Sequence, residues 1–262
     1  MEITEILFHS EYSALFYGFL VIAIGGYIGI AGGSYLYFYK IQNRELHSKK
    51  IQTTLPLKTD ILRDIKWSLV STLLWIPMSA MIIIAIAKGW THLYFEIRDF
   101  GVTYFLFSIL FLVIAHDTYF YWIHRFMHSS PSIYRLFHRT HHLSKNPTPF
   151  SIHAFAPLEA IVFALYVPLM IFLIPVHLYA LLIWLFIETV VNTLGHLGYE
   201  ILPETIFRSR LGSLLSTSYH HNLHHQNSKY GFGHSFNIWD MTMKTNDPEY
   251  PTKLQVFYKQ QK

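Results

Sequence analysis

The sequence contains no cysteine, and Asp, Glu, Lys and Arg together make up only 14% of its 262 residues. The first absence excludes disulfides, thiolate nucleophiles, iron–sulfur clusters and cysteine-ligated zinc together. The second sets the chain apart from soluble domains, in which about a quarter of the residues are charged. Hydrophobic residues supply 52% and aromatics 17%. Charge is missing altogether from Tyr12 to Tyr39, Trp67 to Ala87, Phe100 to Ala115 and Ala160 to Phe186. At about 1.5 Å of helical rise per residue, each of the first two runs can cross about 30 Å of hydrocarbon alone. The third crosses only if its helix continues past Ala115. Pro168 and Pro175 break the fourth, predicting a hairpin with its tip at Ile174 to His177 and a short second arm from Leu178 to Val191.

No Lys or Arg precedes Lys40, whereas Glu2, Glu5 and Glu11 do. That polarity is wrong for a secretory signal, so the first run is expected to remain as an anchor. Gly25, Gly29 and Gly33 recur at a spacing that lets another helix approach, or are plain small residues of a membrane helix. They do not form a G-x-G-x-x-G fingerprint after a strand, which excludes the dinucleotide-binding reading. Cations concentrate between the first two runs (Lys40 to Lys66), from Arg125 to Lys145 and in the tail from Arg208, with only Lys88 and Arg98 elsewhere. The positive-inside rule therefore predicts a multi-pass integral membrane protein with its N-terminus outside and these segments cytosolic. This topology accounts for the formal charge of +4 without a nucleic-acid partner.

Histidine is abundant where charge is not. His124 and His128 lie four apart, His138 precedes His141 and His142, and His221 precedes His224 and His225, with His220 just ahead. Residues three and four apart share a helix face, so each run aims imidazoles in one direction. Buried neutral imidazoles need partners and protonated ones repel, so such crowding points to metal. Eight ligands exceed the three or four that one zinc takes and imply two ions; imidazole itself suits iron, copper, nickel or zinc. H-E-x-x-H is absent, and haem ligands would lie singly within facing helices. His9, His47, His92 and His177 are expected to be structural. The expectation is an all-α fold: an integral membrane helical bundle with a cytosolic, histidine-rich di-metal cap.

The segments "HDTYFYWIHRFMH", "FHRTHH", "NPTPF" followed by "APLEA", "NTLGHLGYE", "HHNLHHQNSKYGFG" and "WDMTMKT" resemble, in order, the fatty acid hydroxylase superfamily, most closely its sterol C-5 desaturases. The resemblance covers about Asp117 to Thr245. It implies a non-haem enzyme with two iron ions that uses O2 and external electrons to desaturate or hydroxylate an unactivated C–H bond of a sterol or other lipid. The implied ligands are His124, His128, His138, His141, His142, His221, His224 and His225, joined by His196. It further implies a division into an N-terminal transmembrane region, 1–115, with about three spans and a basic loop at 40–66, and a catalytic region, 116–262, containing the membrane hairpin 157–191. The implied electron donor is a cytochrome b5-like or ferredoxin-like protein. Three departures stand out. Asn192 occupies a position where some members carry histidine, and so is a candidate for an open site or an amide ligand. Ala156 replaces the histidine before "PLE", with His153 nearby, and "MKT" stands where "FGT" is commoner.

Asp117 shares a helical stripe with Tyr121, His124 and His128 and is a candidate to orient a ligand or the helix end. Glu159, Glu188, Glu200 and Asp240 are the other acids near the clusters, set either to orient ligands or to pair with Arg125, Arg135 or Arg139. Competing functions are a hydroxylase of fatty acyl, alkylglycerol or carotenoid substrates and a histidine-rich metal transporter. The transporter predicts ionisable residues in mid-span.

Overall fold

The structure is a computed structural model that describes residues 10–41 and 44–260; Glu2, Glu5 and His9 lie outside them. It is 70% helical, and strand is confined to two-residue pieces, so the all-α membrane bundle holds. Among the described residues, four helices are long and apolar enough to cross a membrane. The first, Tyr12–Lys40, begins within α1 (Ser10–Gly26) and continues through π-helical turns at Tyr27–Gly32 and Leu36–Lys40. The second is α2 (Lys58–Ala87), whose extra first turns carry the Arg63 pairs to Asp60 and Asp64 at 2.7 and 3.0 Å. The third, α3 (Gly101–Met127), does run past Ala115 and so gains the length it needed. After α4 (Pro131–Phe137), the proline-broken run forms α5 (Pro157–Ala164) and α6 (Tyr166–Leu173) and turns back into α7 (Leu178–Gly195), the fourth span. His177 N-caps α7 by accepting from Tyr179 N, the structural role expected of it.

The direction of these helices places the clusters. Two short strands, β1 (Leu93–Tyr94) and β2 (Val176–His177), pair in parallel shortly ahead of α3 and α7. Both helices therefore set out from one end of the bundle and finish at the other, where α3 delivers His124 and His128 and α7 delivers His196 as its C-cap. The first span arrives at the same end. Its Tyr39 hydroxyl donates to Leu197 O at 2.9 Å, and Gly198, at φ +73°, passes so close to that hydroxyl that any side chain would collide with it. The basic loop that follows bridges Lys50 to Tyr199, and Gln52 donates to Asn222 Oδ1 at 3.1 Å.

Around the bundle, Val21, Leu73, Leu106, Phe107, Leu110 and Ile114 are exposed, as residues facing lipid tails would be. The glycine stripe packs against nothing described: no atom lies within 4 Å of a Cβ built at Gly25, Gly29 or Gly33. The helix packs instead through Tyr27 and Ala31, against Ile152, with the Tyr27 hydroxyl donating to Phe150 O at 3.0 Å.

The C-terminal segment folds over the ends of α3 and α7 as α8 (Ser218–Gln226), α9 (Ile238–Met243) and α10 (Tyr250–Lys259). Asp117 acts here rather than on a ligand: its Oδ1 accepts from Ser235 N and Phe236 N, both at 2.9 Å. Asp240 accepts from Phe232 N, Gly233 N and the Thr245 hydroxyl. Asp117 thus fastens this loop to α3 and Asp240 fastens it to α9, because backbone amides there have no other acceptor. Just after α9, Lys244 holds φ 56°, the left-handed conformation that glycine adopts freely. Lys244→Gly is expected to raise stability by about 1 kcal/mol, seen as a higher thermal midpoint of the detergent-solubilised protein.

Candidate metal centre

Short, well-capped elements hold the histidines. Ser130 N-caps α4 by accepting from Ile133 N at 3.3 Å, and α4 ends on His138, ahead of a 3-10 turn at His141–Leu143. Thr217 N-caps α8 by accepting from His220 N, and Glu200 Oε2 accepts from Tyr219 N at 3.0 Å, placing a carboxylate at the positive end of that helix.

Three runs in sequence become two groups in space. His124, His128, His138, His142 and His224 form one; His141, His196, His221 and His225 form the other. Within each, one ring nitrogen per residue lies within 4.8 Å of all the rest, close to the roughly 4 Å that separates nitrogens bonded across one ion. His138 and His142 turn to the first group and His141, between them, to the second. On α8, His224 and His225 part in the same way. The groups touch, with the rings of His142 and His225 centred 5.0 Å apart.

Hydrogen bonds fix which nitrogens face inward. His124 Nδ1 meets Phe232 O at 2.9 Å, His224 Nδ1 meets Tyr230 O at 2.7 Å and His196 Nδ1 meets Asn192 O at 2.9 Å. A carbonyl only accepts, so each Nδ1 carries the proton and each Nε2 presents a lone pair. His138 Nδ1 is held in the same way by the Glu159 carboxylate. Yet His124 Nε2 and His138 Nε2 approach to 2.9 Å, and His196 Nε2 lies 3.0 Å from His221 Nε2 and 3.2 Å from His141 Nε2. Inward lone pairs repel unless a cation lies between them. His128 Nε2, both nitrogens of His142 and His224 Nε2 are buried without any partner. This donor set fits two metal ions.

Protonation agrees. Burial first, and then the neighbouring imidazoles, hold His138, His141, His142, His221 and His224 well below the usual histidine range, and burial holds His225 there too. The rings are uncharged at neutral pH, the form that binds metal.

Residues 109–245 match the description of the fatty acid hydroxylase family. The chain belongs to the fatty acid hydroxylase family. It is 32% identical to the lathosterol oxidase of Rattus norvegicus over 190 residues, 70% of this chain and 60% of that protein. Two proteins of Schizosaccharomyces pombe also match. One is a Delta(7)-sterol 5(6)-desaturase, 32% identical over 58% of this chain and 48% of the relative; the other is a C-4 methylsterol oxidase, 31% identical over 55% and 49%. The chain spans about 60% of the length of the rat relative and about half that of the yeast ones. No solved structure matches it.

Several expectations for this member of the fatty acid hydroxylase family change in the structure. Asn192 is outside both groups: its amide donates to Ile152 O at 3.0 Å, and only its backbone carbonyl serves His196. His153 is also outside, stacked on Tyr27 and edge-on to Trp75. His220 turns away, to Ser216 and Asn246. Among the described residues, no ion pair joins Glu159, Glu188, Glu200 or Asp240 to Arg125, Arg135 or Arg139. Glu188 instead meets His116 and His234, a third polar set that the sequence reading missed. The available signal was a glutamate inside an apolar arm.

Elemental analysis should find two metal ions per chain, one for each group. His138→Ala with His224→Ala is expected to remove one, and His221→Ala with His225→Ala the other. Glu159→Gln should weaken metal affinity about 10- to 100-fold while the chain remains folded.

Proposed function

We propose that this chain is a membrane-bound lipid oxidase whose two histidine groups hold iron and which desaturates or hydroxylates a sterol or similar lipid. One observation carries the reading: the imidazole groups lie against an apolar cavity inside the bundle. The cavity, of ≈ 170 Å³, is lined by residues from the first span, α2, α3, the α5 to α6 arm and α7. Phe120 and Phe155 belong to its wall and also touch the centre, with ring centroids 5.1 Å from His124 and 5.4 Å from His141. A second apolar cavity of ≈ 150 Å³ shares Phe19, Ser79, Ile82, Val167, Trp184 and Leu185 with it and extends it along the spans. Together they make a hydrocarbon route by which a membrane-dissolved lipid reaches the histidines without entering water.

Iron bound there supplies the redox change that O2 chemistry on a C–H bond needs and that zinc lacks. The chain's own part is geometric. Phe120, Phe155 and Phe163 exclude water and align the substrate. Glu159 and the carbonyls of Asn192, Tyr230 and Phe232 hold the imidazoles' outer protons, keeping the Nε2 atoms directed inward. Whether the product is an alkene or an alcohol depends on where the cavity fixes the neighbouring C–H bond. The rat and yeast relatives, an oxidase of lathosterol, a sterol desaturase and a methylsterol oxidase by name, favour a sterol.

The histidine end faces the cytosol in this reading, since the basic loop packs there. Exposed Arg135, Arg139, Lys145 and Lys229 on the cluster-bearing segments suit an acidic cytochrome b5-like or ferredoxin-like donor. A transporter would distribute its ligands along a path through the membrane, whereas nine imidazoles gather at one end.

Mass spectrometry of lipids from cells with and without the gene tests the activity, alongside iron analysis of the purified protein. A product dependent on the gene is expected; zinc alone with unchanged lipids would reject the proposal. Phe163→Trp, which fills the cavity, should lower turnover at least about tenfold with metal content unchanged.

A further inference from the structure

The cavity wall is mostly hydrocarbon, with Ser79, His153, Thr189 and Asn192 among its polar residues, and at one place titratable side chains converge. There His116 of α3, Glu188 of α7 and His234 of the loop before α9 converge. Glu188 Oε2 lies 2.9 Å from His116 Nδ1 and 3.3 Å from His234 Nδ1. Glu188 Oε2 is thus occupied by the two imidazoles, whereas its Oε1 is buried without a partner, on a residue only 7% exposed. The indole N–H of Trp184, on the same wall and with its ring 5.2 Å from that of His116, is likewise unpartnered. Two buried polar atoms without a hydrogen bond, Glu188 Oε1 and Trp184 Nε1, thus belong to one cavity wall.

The chemistry of the set narrows its ligand. A carboxylate accepts, an indole N–H donates, and imidazole does either. A hydroxyl uses both functions at once and, being neutral, crosses hydrocarbon at modest cost. An anionic head would meet the Glu188 carboxylate. Met78, Ile82, Phe163, Val167 and Leu185 on the same wall take hydrocarbon.

The geometry points to a hydroxyl anchor: His116, Glu188, His234 and the Trp184 indole bind the hydroxyl of a lipid alcohol whose hydrocarbon fills the cavity. The inference rests on the cavity being the substrate's site. His234 packs on Phe120 at 4.5 Å between ring centroids, and Phe120 packs on His124. His116 lies two turns before His124 on α3, about 12 Å along the helix axis. Anchoring the hydroxyl there sets how far along the lipid skeleton the carbon presented to the histidine groups lies. His116, Glu188 and His234 are thus positioning residues that determine specificity.

The test is equilibrium binding to the purified full chain in nanodiscs, using probe pairs that differ by one hydroxyl: cholesterol against 5α-cholestane, and 1-octadecanol against octadecane. At least one alcohol should bind about tenfold or more tighter than its hydrocarbon. That preference should fall to within about twofold in Glu188→Gln and in His234→Phe, with hydrocarbon affinity unchanged. Equal affinities within both pairs in the unaltered chain would overturn the anchor, as would a preference that survives Glu188→Gln. A third equivalent of metal, lost from Glu188→Gln, would overturn it too by making the set a metal site. If neither variant folds, the comparison in the unaltered chain still decides. A chain that oxidises lipids without preferring alcohols loses only the anchor, and one that prefers alcohols but holds no redox metal loses only the oxidase reading.

Discussion

Nitrogen lone pairs turned towards one another govern this protein. Carbonyls and a carboxylate take the outer protons of His124, His138, His196 and His224, and this leaves their Nε2 atoms converging at distances suited to a shared cation. With the rings uncharged, the inward lone pairs have no proton to share between them. One metal ion in each group would satisfy them, and its binding energy would also be folding energy for the segments that carry the ligands.

The rest of the architecture brings distant residues to that point. Parallel α3 and α7 both follow a single strand pair and run toward the same end of the bundle. Asp117 and Asp240 fasten the loop whose Phe232 carbonyl holds His124, while Glu200 and Thr217 fix the start of α8. Each acid serves backbone amides that no regular element satisfies, so the polar interior of a greasy chain is spent on positioning. The same bundle encloses the apolar cavity next to the histidines. A membrane setting thus supplies both the shelter for the centre and the route to it.

Much of this was legible in the sequence because it rests on local rules. Uncharged runs reported the first three spans, two prolines reported the hairpin, and the shortness of Phe100 to Ala115 required the extension that α3 makes. The fourth span, Leu178–Gly195, by contrast carries Glu188 and outruns the short arm expected to end at Val191. Histidines at intervals of three and four marked the ligand-bearing segments. Other features depend on what faces what. The glycine stripe in the first span looked like a packing surface, yet the helix turns Tyr27 and Ala31 to the bundle instead. Asp117 shares its stripe with two ligands, but its carboxylate sits against backbone amides 118 and 119 residues away.

Spacing along the chain determined that imidazoles would be presented in clusters at the ends of membrane helices, since helical periodicity fixes which residues share a face. The sequence also determined the apolar composition of the spans and the absence of thiolate ligands. Only the tertiary structure decided that three runs would become two groups, with His141 parted from His138 and His142, and His224 from His225. It alone brought His116, Glu188 and His234 together. Neighbours on one turn point about 100° apart, so which centre each joins is set by the elements packed around it and not by its position in the chain.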